Sequence, residues 1–508
     1  MSGPRKVPAT TQARQARASD PTASAWVSAN AGSGKTHVLA QRVIRLLLAG
    51  TPPGRILCLT FTKAAAANMA ERVFKNLAAW SSLDDSALAS AIEATGAPRP
   101  SEAHQLGLAR KLFARAVETP GGLKIQTLHA FCERVLHAAP FEANVAAGFA
   151  IIEEVQQAQL IARAKMEVLA QARRDADLAQ ALEKIAEDAG LVFTDLLDEA
   201  LRQRAFFRAA NMAGADQDLR LALGLAADDA PDQIVHDMLK GGIAPARWPD
   251  KAVLLVSGSA TDGKKGALFL AAYEDLRAGA AEEALEKYLT IFFTKKGAGT
   301  PVANLLNNGL ASARPDLLEE LSDEQTRLER LRDKRAAMAA AERTQALARL
   351  VNAILDRYET LKAERQLLDF DDLIARAREL LTRSSARWVL QKLDAGIDHI
   401  LVDEAQDTSA AQWDILDRIS SDFFAGEGQS RRTRTFFAVG DEKQSIFSFQ
   451  GAAPALFARK KEEFQRLAAG ADKAFNPVDL NLSFRSAQGI LDAVDKVFSL
   501  PDNFRGRR

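Results

Sequence analysis

Short apolar runs alternate with stretches of helical spacing over the first 150 residues. Positions 25–30 predict a buried strand, and 35–49 place Val38, Leu39, Val43, Leu46 and Leu47 at the intervals of one helix face. A second strand is predicted at 55–60, then an alanine-rich helix from about 64 to 80. A third strand is predicted at 123–127, with a helix starting near His129. Near-continuous apolar strands separated by helices belong to a parallel sheet covered on both faces.

The pattern changes at about residue 153. From there to 364 it is rich in Ala, Leu, Glu and Arg at helical spacing, with turn clusters at 241–242, 257–266 and 297–301. Positions 315–365 fit one long amphipathic helix or two antiparallel ones. After 369, strands at 399–402, 435–439 and 478–482 alternate with helices at 408–419, 453–467 and 486–498. The expected organisation is a sheet domain at 1–150 and 367–475, a helical insertion at 151–366, and the truncated beginning of a second sheet domain at 476–508.

Composition narrows the class. At 508 residues, with 47% hydrophobic and 26% charged positions, the chain is globular with more than one core. Its 66 basic and 66 acidic residues cancel, so any binding of nucleic acid needs a local positive potential. Two cysteines, Cys58 and Cys132, form no CxxC pair, which argues against a disulfide scaffold or zinc site and fits a reducing cytoplasm. The polar start, with Arg5, Lys6, Arg14 and Arg17, lacks a signal-peptide core, and no apolar run approaches the roughly 20 residues of a membrane span. A cytoplasmic protein without membrane association is expected.

Three segments carry chemistry. Ala29, Asn30, Ala31, Gly32, Ser33, Gly34, Lys35 and Thr36 fit a phosphate-binding loop between a strand and a helix. Its glycines allow several N–H groups to converge, the helix start adds partial positive charge, Lys35 reaches the β- and γ-phosphates, and Thr36 offers a hydroxyl to Mg²⁺. The apolar run 400–402 ends in Asp403 and Glu404, where one carboxylate can hold the metal and the other can polarise a water. A strand at 435–439 leads to Gln444, an uncharged amide able to bond a terminal phosphate or attacking water.

These segments, in this order, resemble the superfamily 1 DNA helicases of the UvrD/Rep/RecB type, and within them the AddA subunit of AddAB helicase–nucleases. The resemblance rests also on Leu59-Thr60-Phe61-Thr62-Lys63, Thr127-Leu128-His129-Ala130-Phe131, Leu368-Asp369-Phe370-Asp371-Asp372 and Ser483-Phe484-Arg485-Ser486. It implies a RecA-like, P-loop NTPase α/β fold with a large all-helical insertion. It implies ATP and Mg²⁺ as cofactors, with Gln15 reading adenine (Gln12 being the second candidate) and Phe484 beside the base in place of the family's usual tyrosine. Arg485 would reach the γ-phosphate, and Gln444 would couple its state to the DNA track. Thr60, Phe61, Thr62, Lys63, His129, Phe447 and Phe449 fall in segments that line the single-strand track of similar helicases, where aromatic faces stack bases without reading sequence.

The activity so implied is ATP-dependent 3′-to-5′ DNA translocation and unwinding in double-strand-break repair, on single-stranded and duplex DNA, with an AddB-like partner. The later helicase motifs and the nuclease of such proteins are expected to be missing. An alternative is a fragment that holds nucleotide and DNA without unwinding. A small-molecule kinase or NTPase would need none of the DNA-track segments.

Overall fold

The computed structural model describes residues 7–210, 214–295, 297–383, 388–389, 396–424, 432–444 and 454–499. The chain divides into two compact units, one made of 1–153 with 365–508 and the other of 154–364.

The first unit is mixed α/β. Its strands, numbered along the chain, are β1 (Ser24–Ala29), β2 (Ile56–Thr60), β3 (Lys124–Thr127), β4 (Ala150–Ile151), β5 (Leu367–Leu368), β6 (His399–Val402), β7 (Thr435–Gly440) and β8 (Phe475–Leu480). Six of them form one all-parallel sheet in the order β3-β2-β6-β7-β1-β8, and β4 pairs separately with β5. The period of two in each strand sends alternate residues to opposite faces. Trp26, Leu57, Leu59, Ile400, Val402 and Phe436 enter one core, while Ala25, Val27, Ile56, Cys58, Leu401, Phe437 and Val439 enter the other.

Helices close both faces. Helices α1 (Ala9–Ala18), α2 (Lys35–Leu48), α3 (Lys63–Trp80), α4 (Asp85–Glu93), α5 (Ala103–Glu118) and α6 (Leu128–Ala138) come from the first segment. Helices Phe370–Arg383, Ala410–Ser420 and Pro454–Gly470 follow in the second. Packing differs on the two sides: α2, α3 and α5 cover the Val27 face, and α6 with the three later helices covers Trp26. Trp26 stacks on Trp413 at 5.8 Å between ring centroids and meets Phe457 at 4.9 Å.

One expected boundary is corrected here. Residues 475–480 do not open a second sheet; β8 is the sixth strand of the first, in register with all of β1 from Ser24↔Phe475 to Ala29↔Leu480. An edge position explains why Pro477 is tolerated, since its missing N–H would break a central ladder. Helix α1, which packs against β8, was invisible to periodicity because it buries only Gln15 and Ala18.

The second unit is helical, with one isolated antiparallel bridge between Phe293 and Pro301. Pro315–Glu364 is a single helix of 50 residues. Proline occurs only at its first position and glycine nowhere within it, so nothing interrupts the hydrogen-bond ladder. The turn expected at 257–266 ends early: Ser259 and Asp262 form a reciprocal cap, and helix Ala260–Arg277 runs through both Gly263 and Gly266. Gly266 is a close-approach position, because a Cβ there would sit 2.9 Å from the Ala252 carbonyl oxygen of the neighbouring helix. Among the described residues no helix is long and apolar enough to cross a membrane.

Candidate functional site at the carboxyl ends of the strands

In a parallel sheet every strand points the same way, so the segments that follow the strands gather at one edge, where open α/β sheets bind ligands. Segments 30–36, 60–63, 127–129, 403–407, 441–444 and 481–485 each follow a strand of the six-stranded sheet and meet there.

The turn after β1 is built by two left-handed glycines, Gly32 at φ 72° and Gly34 at φ 93°. The Ser33 N–H donates to the Asn30 carbonyl at 3.1 Å, and Gly34 caps α2. The Ser33 hydroxyl is buried without a hydrogen-bond partner. Lys35, the first residue of α2, extends its Nζ to within 2.6 Å of Glu404 Oε2, although 369 positions separate the two residues.

The carboxylates sit at the tip of β6. Asp403 is buried and held by two backbone contacts: its N–H donates to the Leu59 carbonyl at 2.8 Å, and its Oδ1 accepts from the Glu404 N–H at 3.1 Å. Burial pushes its carboxyl up to about 6, reinforced by the Glu404 charge and partly offset by Lys35. Glu404 adopts a left-handed backbone, φ 47°, uncommon for a residue with a side chain. That conformation turns the chain sharply from strand into the 3₁₀ turn Ala405–Asp407.

Gln406 lies in that turn, only 2% exposed. Its Nε2 donates to Glu404 Oε2 at 3.0 Å and Asp407 Oδ2 at 3.1 Å, while its Oε1 accepts from the Asp441 N–H at 2.9 Å. From Asp441 a 3₁₀ turn, Glu442–Gln444, follows, with the Gln444 N–H donating to the Asp441 carbonyl at 3.0 Å. The Gln444 side chain itself is exposed.

The segment after β8 crosses the glycine turn. The Phe484 N–H donates to the Gly32 carbonyl at 2.8 Å, and the Asn30 N–H donates to the Leu480 carbonyl at 3.1 Å. Arg485 is thereby carried over Gly32, and Phe484 is left 40% exposed. On the other flank Gln15 is buried, with its Nε2 3.5 Å from where a Gly34 Cβ would stand, whereas Gln12 is exposed. Of the two glutamines, Gln15 is the one beside the glycine turn.

The expected DNA-track residues divide. Phe61 and His129 line a hollow together with Thr60, Asp403 and Glu404. Thr60 is buried and its hydroxyl donates to the Thr62 carbonyl at 3.0 Å, so that side chain is used inside the turn. Thr62 caps α3, accepting from the Ala65 N–H at 3.1 Å, and Lys63 is exposed beside it. Phe447 and Phe449 lie outside the described residues.

The profile of the UvrD/REP helicase N-terminal domain covers residues 9–465. The chain belongs to the UvrD/REP helicase family. It is similar to proteins named as the A subunits of ATP-dependent helicase/nucleases. The one from Desulforudis audaxviator is 30% identical over 93% of this chain and 38% of its own length. Those from Bacillus pumilus (26% identical, 93% and 38%) and Lactobacillus gasseri (24%, 94% and 39%) are comparable. The chain thus spans about two fifths of the length of these UvrD/REP relatives.

Sequence reading missed Phe370 as a site residue, placing it only within a motif. It is 41% exposed and meets the His129 ring edge-on at 5.3 Å between centroids. Burial lowers the His129 pKa, with Asp371 opposing. An aromatic ring set among three acidic residues, Asp369, Asp371 and Asp372, was the available signal. Gln406 was missed likewise: a glutamine between carboxylates does not announce that it is fully buried.

The donor set fits a hard divalent cation carried by phosphate. Mg²⁺ takes one or two protein oxygens besides phosphate and water, and Asp403 offers a buried carboxylate at the strand tip. Among the described residues no group of three His, Cys, Asp or Glu side chains forms a separate metal cage.

Proposed function

We propose that the chain is the ATP-binding motor portion of a DNA helicase subunit, with the turn 30–36 as a P-loop that grips the triphosphate and with 154–364 as an insertion into a RecA-like domain. The observation that carries this reading is the 2.6 Å contact of Lys35 with Glu404, made where β1 and β6 end. It brings a cation at the start of α2, the glycine turn before it and the carboxylates at the tip of β6 together, as phosphoryl transfer requires.

The roles follow from chemistry. The amides around Gly32 and Gly34 and the start of α2 receive the phosphates. Lys35 exchanges its Glu404 partner for phosphate oxygens when a more highly charged anion arrives. Glu404, released from Lys35, orients a water and accepts its proton. Thr36 and Asp403 hold Mg²⁺, which when bound neutralises charge on the phosphate oxygens. Gln15 pairs with adenine and Phe484 stacks beside it; Arg485 contacts the γ-phosphate, and Gln444 responds to its presence.

Single-stranded DNA runs over Phe61, His129 and Phe370, with Lys63 supplying charge to the backbone. By resemblance to the family, Phe447 and Phe449 belong to the DNA contacts and the polarity is 3′-to-5′. Double-strand-break repair beside an AddB-like subunit, in the cytoplasm, completes the reading. DNA-stimulated ATP turnover tests it: Lys35→Ala should abolish turnover while leaving the far-ultraviolet circular dichroism spectrum unchanged. Parent-like turnover in that variant would remove Lys35 from the site.

A further inference from the structure

We infer that Gln406 is a positioning residue, an amide bridge that aims the Glu404 carboxylate and links it mechanically to the turn at Asp441–Gln444. This rests on the ATPase reading above and adds to it a path within the protein.

Three facts assign the bridge. First, Gln406 is buried and its polar atoms are committed: two N–H bonds go to Glu404 and Asp407, and the carbonyl accepts from the Asp441 backbone. The orientation of the amide follows from its partners, since carboxylates need donors and an N–H needs an acceptor. Second, its two ends lie on different strands. Glu404 follows β6 and Asp441 follows β7, and these are adjacent and parallel. Third, the neighbouring backbone is shaped to admit it: a Cβ on Gly440 would fall 2.6 Å from Gln406 Oε1. Beyond Asp441 the chain of contacts continues, because Asp441 Oδ1 accepts from the Lys443 N–H at 3.1 Å and its carbonyl accepts from the Gln444 N–H at 3.0 Å.

The consequence appears when nucleotide binds. Before that, the Glu404 carboxylate is held by two side chains, Lys35 and Gln406. Once Lys35 turns to phosphate, the Gln406 amide is what restrains the Glu404 side chain. A movement of Glu404 then pulls on Gln406 and through it on the Asp441 N–H, shifting the turn that carries Gln444. No charged residue could replace the amide, because only a neutral group donates to carboxylates at one end and accepts an N–H at the other.

Two variants of the full chain test this. Gln406→Leu removes both arms at similar volume; Gln406→Glu keeps an acceptor for Asp441 but loses the donors to Glu404. Expected for both is ADP affinity, by calorimetry, within about threefold of the parent, and an ATP KM similarly unchanged. The kcat with saturating single-stranded DNA should fall at least 10-fold. Hydrogen exchange supplies a readout independent of turnover. In the parent, adding the slowly hydrolysed analogue ATPγS with Mg²⁺ should alter amide exchange at 441–444, and this response should vanish in both variants. A variant that binds nucleotide yet keeps the parent's kcat and exchange response overturns the bridge alone. Should Gln406→Leu not fold, Gln406→Glu decides by the same readouts. A parent chain without nucleotide binding overturns both this inference and the ATPase reading.

Discussion

Arg485 lies so close over Gly32 that a Cβ added to the glycine would stand 2.6 Å from the Arg485 Cβ. Gly32 also holds φ 72°, where a side chain costs about 1–2 kcal/mol. Gly32→Ala should therefore push the 483–485 segment off the glycine turn. Expected are a loss of ADP affinity of at least 10-fold by calorimetry and a thermal midpoint lowered by several degrees. A variant with parent-like affinity would mean that the two segments do not need their close approach.

Asp403 should make the empty site less stable than an isosteric amide would. Its carboxyl titrates at about 6 in the folded chain against 3.8 for an ordinary aspartate, so the folded state prefers the protonated form. Stability therefore falls as pH rises from about 4 to 6 and stays level above, by a ceiling on the order of 3 kcal/mol. In EDTA without nucleotide, Asp403→Asn should melt higher than the parent at pH 7–8, with the gap closing towards pH 4. ATP turnover should be lost in the same variant. A gap independent of pH would contradict the buried ionised carboxylate.

His399 has the opposite sign. At the other end of β6 its Nδ1 lies 2.8 Å from Thr435 Oγ1, and burial with the nearby Arg42 charge lowers its pKa to about 4. The neutral ring stabilises the fold above pH 6.5, and that contribution is lost as pH falls from 6.5 towards 4, again on the order of 3 kcal/mol. In the parent this slope is masked between pH 6 and 4 by the rising contribution of Asp403. In the Asp403→Asn background it should be visible as an acid-dependent drop in melting temperature, and His399→Asn should flatten it.

Phe370 and Lys63 should affect DNA differently. Loss of a stacking ring costs about 1–3 kcal/mol per base, so Phe370→Ala should weaken binding of oligothymidine by roughly 5- to 150-fold with the salt dependence unchanged. Lys63→Ala should weaken it modestly and reduce the slope of log affinity against log salt by about 0.7. Fluorescence anisotropy across a salt series separates the two. Equal slopes for both variants would remove Lys63 from the phosphate path.

Much of the fold was legible because buried parallel strands leave near-continuous apolar runs. The runs at 25–30, 55–60 and 399–402 correspond to β1, β2 and β6 within one or two residues. The run at 478–482 was visible too, although the strand itself is Phe475–Leu480, and its assignment to a second sheet was wrong, because an apolar run does not say which neighbour it hydrogen-bonds. Likewise 315–365 could not be resolved between one helix and two, as amphipathic spacing is the same for both.

Of the candidate site, the sequence by itself determined the chemical inventory: a glycine turn ending in Lys35, a strand ending in two carboxylates, and aromatic residues after other strands. These are local patterns, set by which backbone angles glycine allows and which side chains carry charge. Tertiary structure alone decided that Lys35 meets Glu404, that Gln406 spans β6 and β7, and that Phe370 faces His129. Those pairings join segments up to 369 positions apart. They depend on the order of strands in the sheet, which arises from packing the whole chain and leaves no mark on any one stretch of it.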